Sequence, residues 1–284
     1  MLGQRAFGVD DLVVMAIVNR TPDSFFAGAR TFGLTEALDR ADQVIEEGAA
    51  IVDIGGVKAA PGEDVDDAEE ARRVIDVVAG VRERHPSVVI SVDTYRASVA
   101  DLACAAGADL INDAWGGWEP EVAEVAARHG AGLVCTHAGG LPPRTRPHRV
   151  EYADVMGDVV STVTGLAERA VASGVRADGI LIDPGHDFAK NSRHSLEVTR
   201  RLPELVATQW PVLVALSRKD FIGESLDLPT DERLEGTLAA TAVSAWLGAR
   251  VFRAHDVPAT MRVLRTVAAI RGTGPLASAK RGLA

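Results

Sequence analysis

Residue types suited to binding and catalysis recur at one kind of position in this sequence, the end of a short apolar run. Arg253 and His255 alternate along one such segment, so both side chains can point the same way. The other run ends offer carboxylates, amides and a lysine. The full candidate set is Asn19, Asp53, Asp93, Asn112, His137, Asp183, Lys219, Arg253 and His255. If the runs end at a common mouth, this set favours a polar, planar or anionic ligand.

The apolar runs are separated by longer stretches with helical spacing. Continuous runs rich in β-branched residues are typical of buried parallel strands, because such strands are covered on both faces. After the first run, Leu34–Gly48 predicts a helix with Thr35 as its N-cap and its end at Gly48. The predicted strands are Leu12–Val18, Ala49–Ile54, Ser87–Val92, Asp109–Asn112, Gly132–Thr136, Gly179–Asp183, Pro211–Leu216 and Ala249–Arg253.

Eight strand–helix units in 284 residues predict an α/β fold, a (β/α)8 TIM barrel, with residues 1–284 forming a single domain. An open doubly wound sheet is the alternative. Such a sheet more often carries a glycine-rich phosphate-binding motif after its first strand. Neither GxGxxG nor GxxxxGK[ST] occurs in this chain. A barrel builds its active site at the C-terminal ends of its strands, where the polar run ends fall.

The composition is that of a globular protein with an acidic surface. The net charge of −10 argues against a nucleic-acid partner. Basic residues cluster only within Pro142–Val150, where a solvated loop is favoured over an anion site. No apolar run reaches membrane-spanning length and the N-terminus lacks a secretory pattern, so we expect a cytoplasmic protein without a membrane partner. Cys104 and Cys135 belong to no CxxC pair and are predicted to be buried free thiols.

Several motifs in consistent order resemble those of dihydropteroate synthase over nearly the whole chain. They are MAIVNRTPDSF, DIGG followed by PG, SVDTYRASVADLACAAGADLIND, DPGHDFAK, LSRKDFIG, and RLEGTLAATA followed by FRAHDV. Each motif alone is modest, whereas the ordered set is specific. The resemblance implies a pterin-binding TIM barrel that condenses a dihydropterin methyl pyrophosphate with p-aminobenzoate and releases pyrophosphate.

The resemblance also implies a pterin site, and the residue types at the matching positions fit the ring. Asp183 can accept two adjacent N–H donors from the amino-pyrimidinone edge. Asn112 offers a donor and an acceptor to the rest of that edge, and Lys219 can donate to the ring carbonyl or a ring nitrogen. Asp93 matches the family's other pterin-side carboxylate, although by itself it would be interpreted as a helix N-cap. Phe188, retained in DPGHDFAK, completes the predicted substrate-binding set.

A pyrophosphate site is implied at the ends of the first and last strands. Arg253 can fork onto phosphate oxygens, and His255 adds a hydrogen bond whose strength depends on its protonation. With Lys219, these two are the predicted catalytic residues. Asn19 resembles the family's partner for pyrophosphate and Mg²⁺, so Mg²⁺ is expected to be held through the pyrophosphate. Family members are usually dimers through late barrel helices, which implies a homodimer here.

The chain departs from the family pattern in the loop where the second substrate is expected. Family members usually continue the second strand as ESTRPG, whereas this chain has Val57, Lys58, Ala59 and Ala60 before Pro61. The hydroxyls and the guanidinium that help to position p-aminobenzoate and close the site are therefore missing from this loop. Lys58 keeps a positive charge, but a flexible ammonium does not replace the planar fork of arginine.

Further departures surround the same part of the expected site. Arg20 adds bulk and charge beside the pyrophosphate position, and Ala27 replaces an aspartate thought to act in the closed first loop. Asp220 follows SRK where serine is common, and its charge would disfavour a benzoate carboxylate nearby. His186 and Asp187 replace a usual Ile-Gly pair.

These patterns predict a dihydropteroate synthase-like protein of folate biosynthesis that binds dihydropterin methyl pyrophosphate. Its synthase activity toward p-aminobenzoate is predicted to be strongly reduced or lost, because the missing contacts correspond to roughly 10³-fold or more in rate. A non-catalytic pterin-binding scaffold or regulator is one form of this prediction. The alternatives are a fully active synthase with rearranged loops, or a transferase with another acceptor site built from Lys58, Arg20 and Asp220.

Overall fold

A computed structural model describes residues 1–21, 33–145, 150–278 and 281. In this part of the chain, eight parallel strands form one sheet in the order β6-β5-β4-β3-β2-β1-β8-β7, and a bridge between Ile182 and Val212 joins the two ends. The predicted (β/α)8 barrel is therefore confirmed. The strands are β1 Val13–Asn19, β2 Ile51–Gly55, β3 Val89–Asp93, β4 Leu110–Asp113, β5 Gly132–Thr136, β6 Ile180–Asp183, β7 Leu213–Ala215 and β8 Val251–Ala254.

Helices follow the strands and cover the outside of the barrel. The boundaries of several are fixed by capping side chains, such as Asp66, which accepts a hydrogen bond from the Glu69 backbone N–H at 2.7 Å. The helices are α1 Leu34–Glu46, α2 Asp67–Arg84, α3 Ala97–Ala106, α4 Glu121–His129, α5 Val155–Ala172, α6 Ser192–Arg200, α7 Leu202–Val206, α8 Asp220–Leu226, α9 Leu234–Trp246 and α10 Val257–Arg271.

The expected cap of α1 and the alternative interpretation of Asp93 as a helix N-cap both differ from the structure. Thr35 lies inside the first turn of α1, and Gly33, in an extended conformation, is the N-cap without a side-chain hydrogen bond. The expectation for Thr35 is therefore wrong by two positions. Asp93 caps no helix either, because α3 begins at Ala97 after the N-cap Arg96. Its carboxylate binds Arg253 instead.

The barrel interior is built in layers by alternate residues of the strands. Leu2 closes the lower end, against an apolar layer that is buried from water. Further along, the same inward-facing rows become polar, two positions on at Asp53, Ser91 and Asn112 and four positions on at Asp93. The apolar layer consists of Met15, Ile51, Val89, Leu110, Val134, Leu181, Leu213 and Val251. A larger apolar core lies between the strands and the helices.

Three further expectations concern surface and chemistry rather than fold. Cys104 and Cys135 are both buried and free, as predicted. Within the described ranges, no helix combines the length and the apolar composition needed to span a membrane. Arg144 in the predicted basic loop is half-buried and hydrogen-bonded to backbone carbonyls, whereas residues 146–149 of that loop lie outside the described residues.

Candidate functional site

The C-terminal ends of the strands surround a cavity of about 230 Å³. The polar run ends converge there because inward-facing residues two apart along parallel strands stack in layers toward the same mouth. Asp53 and His137, also candidates from the sequence, are buried beneath the cavity and do not line it. Every residue predicted for substrate, catalysis or metal lines it: Asn19, Asp93, Asn112, Asp183, Phe188, Lys219, Arg253 and His255.

A partly buried arginine between two carboxylates forms the cavity floor. Arg253 donates from Nε to Asp53 Oδ2 at 2.6 Å and from Nη2 to Asp93 Oδ2 at 2.8 Å. Burial opposes the charge on Arg253, but Asp53 and Asp93 outweigh it and raise its pKa. Burial raises the pKa of Asp93 to about 7, although Arg253 acts in the opposite direction. Two of the three guanidinium nitrogens, Nε and Nη2, are therefore already hydrogen-bonded to protein carboxylates.

Asp53 has a larger role than its place in the sequence indicated. Its fully buried carboxylate also accepts from Ser91 Oγ at 2.6 Å and from Asn112 Nδ2 at 3.2 Å. One side chain thus orients Asn112 and Arg253 together. The signal available in the sequence was its position at the end of a buried run, in DIGG.

The predicted pterin residues face each other across the β6 and β7 ends. Asp183 Oδ1 accepts the Gly185 backbone N–H at 2.7 Å, and burial raises the pKa of Asp183. Lys219 Nζ lies 4.9 Å from the centre of the Phe188 ring and donates to the carbonyl of His186. Burial lowers the pKa of Lys219. A carboxylate, an ammonium and an aromatic face around one space suit a flat heterocycle with donors and acceptors at its edge.

His255 stands beside Arg253 at the last strand, with Nδ1 3.0 Å from Ser217 Oγ. Burial, followed by the charge of Arg253, lowers the pKa of His255 to about 4. Its imidazole is therefore neutral at neutral pH, and it serves an anion by hydrogen bonding rather than by charge. Ser217, which is hydrogen-bonded to this ring, lies within the LSRKDFIG motif but was not among the predicted site residues.

A second polar network lies under the cavity. Lys190 Nζ is 2.6 Å from His137 Nδ1, whose Nε2 is 2.7 Å from Asp158 Oδ2. Burial lowers the pKa of Lys190 to about 7 and that of His137 to about 4. Lys190 also donates to the carbonyls of Gly185 and Phe188, at 3.1 and 3.2 Å. This network holds the β6–α6 loop and does not reach the cavity.

The altered loop after β2 forms one wall of the cavity through Val57, Lys58 and Ala59. Arg144 reaches it from the β5–α5 loop, donating from Nε to the Ala60 carbonyl at 3.1 Å and from Nη1 to the Glu63 carbonyl at 2.7 Å. The wall that was predicted to handle a second substrate is therefore mainly apolar and is held by its backbone.

The other positions that depart from the family pattern make different contacts. Arg20 Nη1 donates to the carbonyls of Arg72 and Arg73, both at 3.1 Å, so these contacts direct its guanidinium toward α2. Asp220 Oδ1 lies 3.0 Å from Arg233 Nη1 at the cavity rim. Ala27 lies outside the described residues.

Comparison with known proteins shows which family model and which relatives this chain matches. The family model described as "Pterin binding enzyme" matches residues 15–255. "Inactive dihydropteroate synthase 2" of Mycobacterium leprae is 54% identical, over 100% of this chain and 99% of that protein. Dihydropteroate synthase of Bacillus subtilis is 42% identical, over 92% and 90%. The solved Yersinia pestis dihydropteroate synthase, in complex with a sulfonamide drug, superimposes with a TM-score of 0.90 at 36% identity, covering 96% and 98% of the two chains.

Proposed function

Since the chain belongs to the family of pterin-binding enzymes, we propose that it is a dihydropteroate synthase-like protein with little or no activity toward p-aminobenzoate. It binds dihydropterin methyl pyrophosphate, the donor substrate of folate biosynthesis. One observation carries this proposal. The cavity keeps the side chains suited to a pterin and a pyrophosphate, while its second wall presents Val57 and Ala59 in a loop where the family supplies hydroxyls and a guanidinium.

Donor binding follows from the residues on the cavity floor. Asp183 accepts the paired N–H donors of the pterin edge, Asn112 and Asp93 complete that edge, and Lys219 donates to the ring. Phe188 covers one face of the ring. Arg253 and the neutral His255 donate to the pyrophosphate and stabilise the charge that develops as it leaves.

Mg²⁺ fits this arrangement only as a partner of the pyrophosphate. Asn19 lines the cavity and offers one amide oxygen, and the described residues contain no cluster of three or more His, Cys, Asp or Glu able to hold a metal. Mg²⁺ is commonly bound through one or two protein oxygens, substrate phosphates and water. When bound, it would neutralise part of the leaving pyrophosphate charge.

The cavity offers fewer suitable side chains for the acceptor, p-aminobenzoate, than for the donor. An aromatic amine is nucleophilic without a strong base, so the enzyme's task is to hold it and to exclude water. The apolar β2–α2 loop offers no guanidinium for a benzoate carboxylate. The name of the M. leprae relative, "Inactive dihydropteroate synthase 2", supports this proposal over a fully active synthase.

We also propose a homodimer located in the cytoplasm. Val243 and Trp246 of α9 and Ile270 of α10 are large apolar side chains that are 49%, 60% and 69% exposed on neighbouring helices. A second copy of the chain would cover this face. Buried cysteines without a disulfide fit a reducing compartment.

Donor binding and turnover are tested on one sample. Calorimetric titration with dihydropterin methyl pyrophosphate should show binding, and added p-aminobenzoate should release pyrophosphate at least about 10³-fold more slowly than the B. subtilis enzyme does. Asp183→Asn should weaken donor binding at least about 10-fold. Asp76→Asn, an exposed position on α2, is the matched control and should bind like the wild type.

Two outcomes would contradict the proposal in different ways. Release dependent on p-aminobenzoate at the rate of the B. subtilis enzyme would show a working synthase. Failure of the wild type to bind the pterin pyrophosphate would remove the donor assignment itself.

A further inference from the structure

An aspartate in the β6–α6 loop occupies a backbone conformation that favours glycine. Asp187 has a φ of 65° and lines the cavity beside Phe188. Its side chain compensates for this strain. Oδ1 accepts Ser195 Oγ–H of α6 at 2.9 Å, and Oδ2 accepts the backbone N–H groups of Asp220 at 2.7 Å and Phe221 at 3.3 Å. The carboxylate is therefore fixed in place by α6 and α8.

This fixed charge affects what can enter the cavity. Because the carboxylate is tied on both oxygens, it cannot swing away from an incoming anion. It also occupies the backbone donors of Asp220 and Phe221, so these are already satisfied from within the chain. The carboxylate of Asp220 also lines the cavity, where it is paired with Arg233.

The guanidinium groups that line the same part of the cavity are paired with other carboxylates. Arg218 is bound by Asp256 through two contacts of 3.1 Å, Nε to Oδ2 and Nη2 to Oδ1. Arg233 Nη1 is 3.0 Å from Asp220 Oδ1. An anion entering here would compete with these ion pairs while facing the charge of Asp187.

Apolar surface lies on the same side. Val57, Ala59 and Trp115 line the cavity, and the Trp115 and Phe188 rings pack edge to face with centres 5.1 Å apart. An aromatic ring without a charge can bury itself here without losing solvation of an ionic group.

We propose that Asp187 determines acceptor specificity, so that the cavity selects an uncharged aromatic amine over one that carries a carboxylate. This inference rests on the proposed function, in which the pterin pyrophosphate fills the other half of the cavity. Lys219 and Lys58 also line the cavity, and their charges act against that of Asp187.

The test compares two acceptors of equal shape. The protein is first titrated with 6-hydroxymethylpterin, and p-aminobenzamide and p-aminobenzoate are then titrated into separate samples saturated with that pterin and pyrophosphate. The wild type should bind the neutral amide at least about 10-fold more tightly than the benzoate. Asp187→Asn should lower this ratio of dissociation constants by about 10-fold, because asparagine tolerates a positive φ but carries no charge. Its Oδ1 can still accept the two backbone N–H groups, and its Nδ2 can donate to Ser195 Oγ.

Asp227→Asn is a matched control. Asp227 also has a positive φ, 55°, and stands at the other end of α8, so this change should leave the ratio unaltered. The inference is overturned if the wild type binds the benzoate as tightly as the amide, if it binds neither probe, or if Asp187→Asn leaves the ratio unchanged. Failure at the first step, with no pterin bound, would instead count against the proposed function.

Discussion

At the scale of single residues, the ion cluster on the cavity floor contains a carboxyl group whose pKa lies well above its usual value. Arg253 is bracketed by Asp53 and Asp93, and burial raises the pKa of Asp93 to about 7. The usual pKa of an aspartate is near 3.8. Folded Asp93 thus binds a proton more tightly than unfolded Asp93 does. Protonation of Asp93 therefore stabilises the folded state, and this contribution is fully present below about pH 4.

We expect this contribution to be lost as the pH rises from about 4 to about 7. Asparagine at position 93 does not titrate, so the stability of Asp93→Asn relative to the wild type should rise across this window, by about 1.4 kcal/mol per unit of pKa shift. Urea unfolding at closely spaced pH values measures the difference. Asp76→Asn, on the exposed face of α2, should give a difference that does not change with pH, and a constant difference for Asp93→Asn would refute the expectation.

These residue contacts also mark where sequence reasoning stops. The types and strand-end positions of Asp183, Lys219 and Arg253 were sufficient to place them at one mouth, because parallel strands bring their C-terminal ends together. The contact between Arg253 and Asp53 was not predictable, since the two residues are 200 positions apart and meet only through the register of the closed barrel.

At the scale of elements, apolar runs predicted every strand but not all of their ends. Gly132–Thr136 was predicted and is found as β5, whereas the run Pro211–Leu216 contains only the short strand Leu213–Ala215. An apolar run reports burial, while a strand ends where its backbone pairing ends. The N-cap of α1 was predicted at Thr35 but is Gly33. Glycine has no side chain that could mark the start of the helix in the sequence.

The backbone of the β2–α2 loop is held by residues that lie outside the loop. Three arginines from separate elements donate to its backbone: Arg144 to Ala60 and Glu63, Arg73 to Gly56 and Arg96 to Val65. Its altered side chains are therefore displayed on a backbone that is held from outside the loop.

We expect Arg144→Ala to loosen this wall without unfolding the barrel. Two backbone carbonyls lose their donors, so amide hydrogen exchange across residues 57–64 should become faster by about 10-fold, while the central strands keep their protection. Exchange monitored by mass spectrometry gives the readout. Arg193→Ala removes an exposed arginine from α6 and serves as control. Unchanged exchange in the loop of Arg144→Ala would show that Arg144 does not hold it.

At the scale of the whole molecule, the barrel has a functional end and an apolar flank. The cavity lies at the C-terminal ends of the strands, while Val243, Trp246 and Ile270 are exposed on α9 and α10. Exposed apolar side chains on adjacent helices are typical of a surface that is covered in the assembled protein. A symmetric pair would use the same face on both copies.

We expect Trp246→Glu to separate such a pair. Each two-fold interface would receive two new charges in an apolar setting, because an isologous surface repeats every substitution, and the dimer should weaken by at least about 10-fold in dissociation constant. Sedimentation velocity over a range of protein concentrations should show a dimer for the wild type and a monomer for the variant. Trp118→Glu, at a tryptophan that is 47% exposed on the loop after β4, matches the substitution outside this flank and should remain dimeric. A monomeric wild type, or equal dissociation of both variants, would exclude this face as the interface.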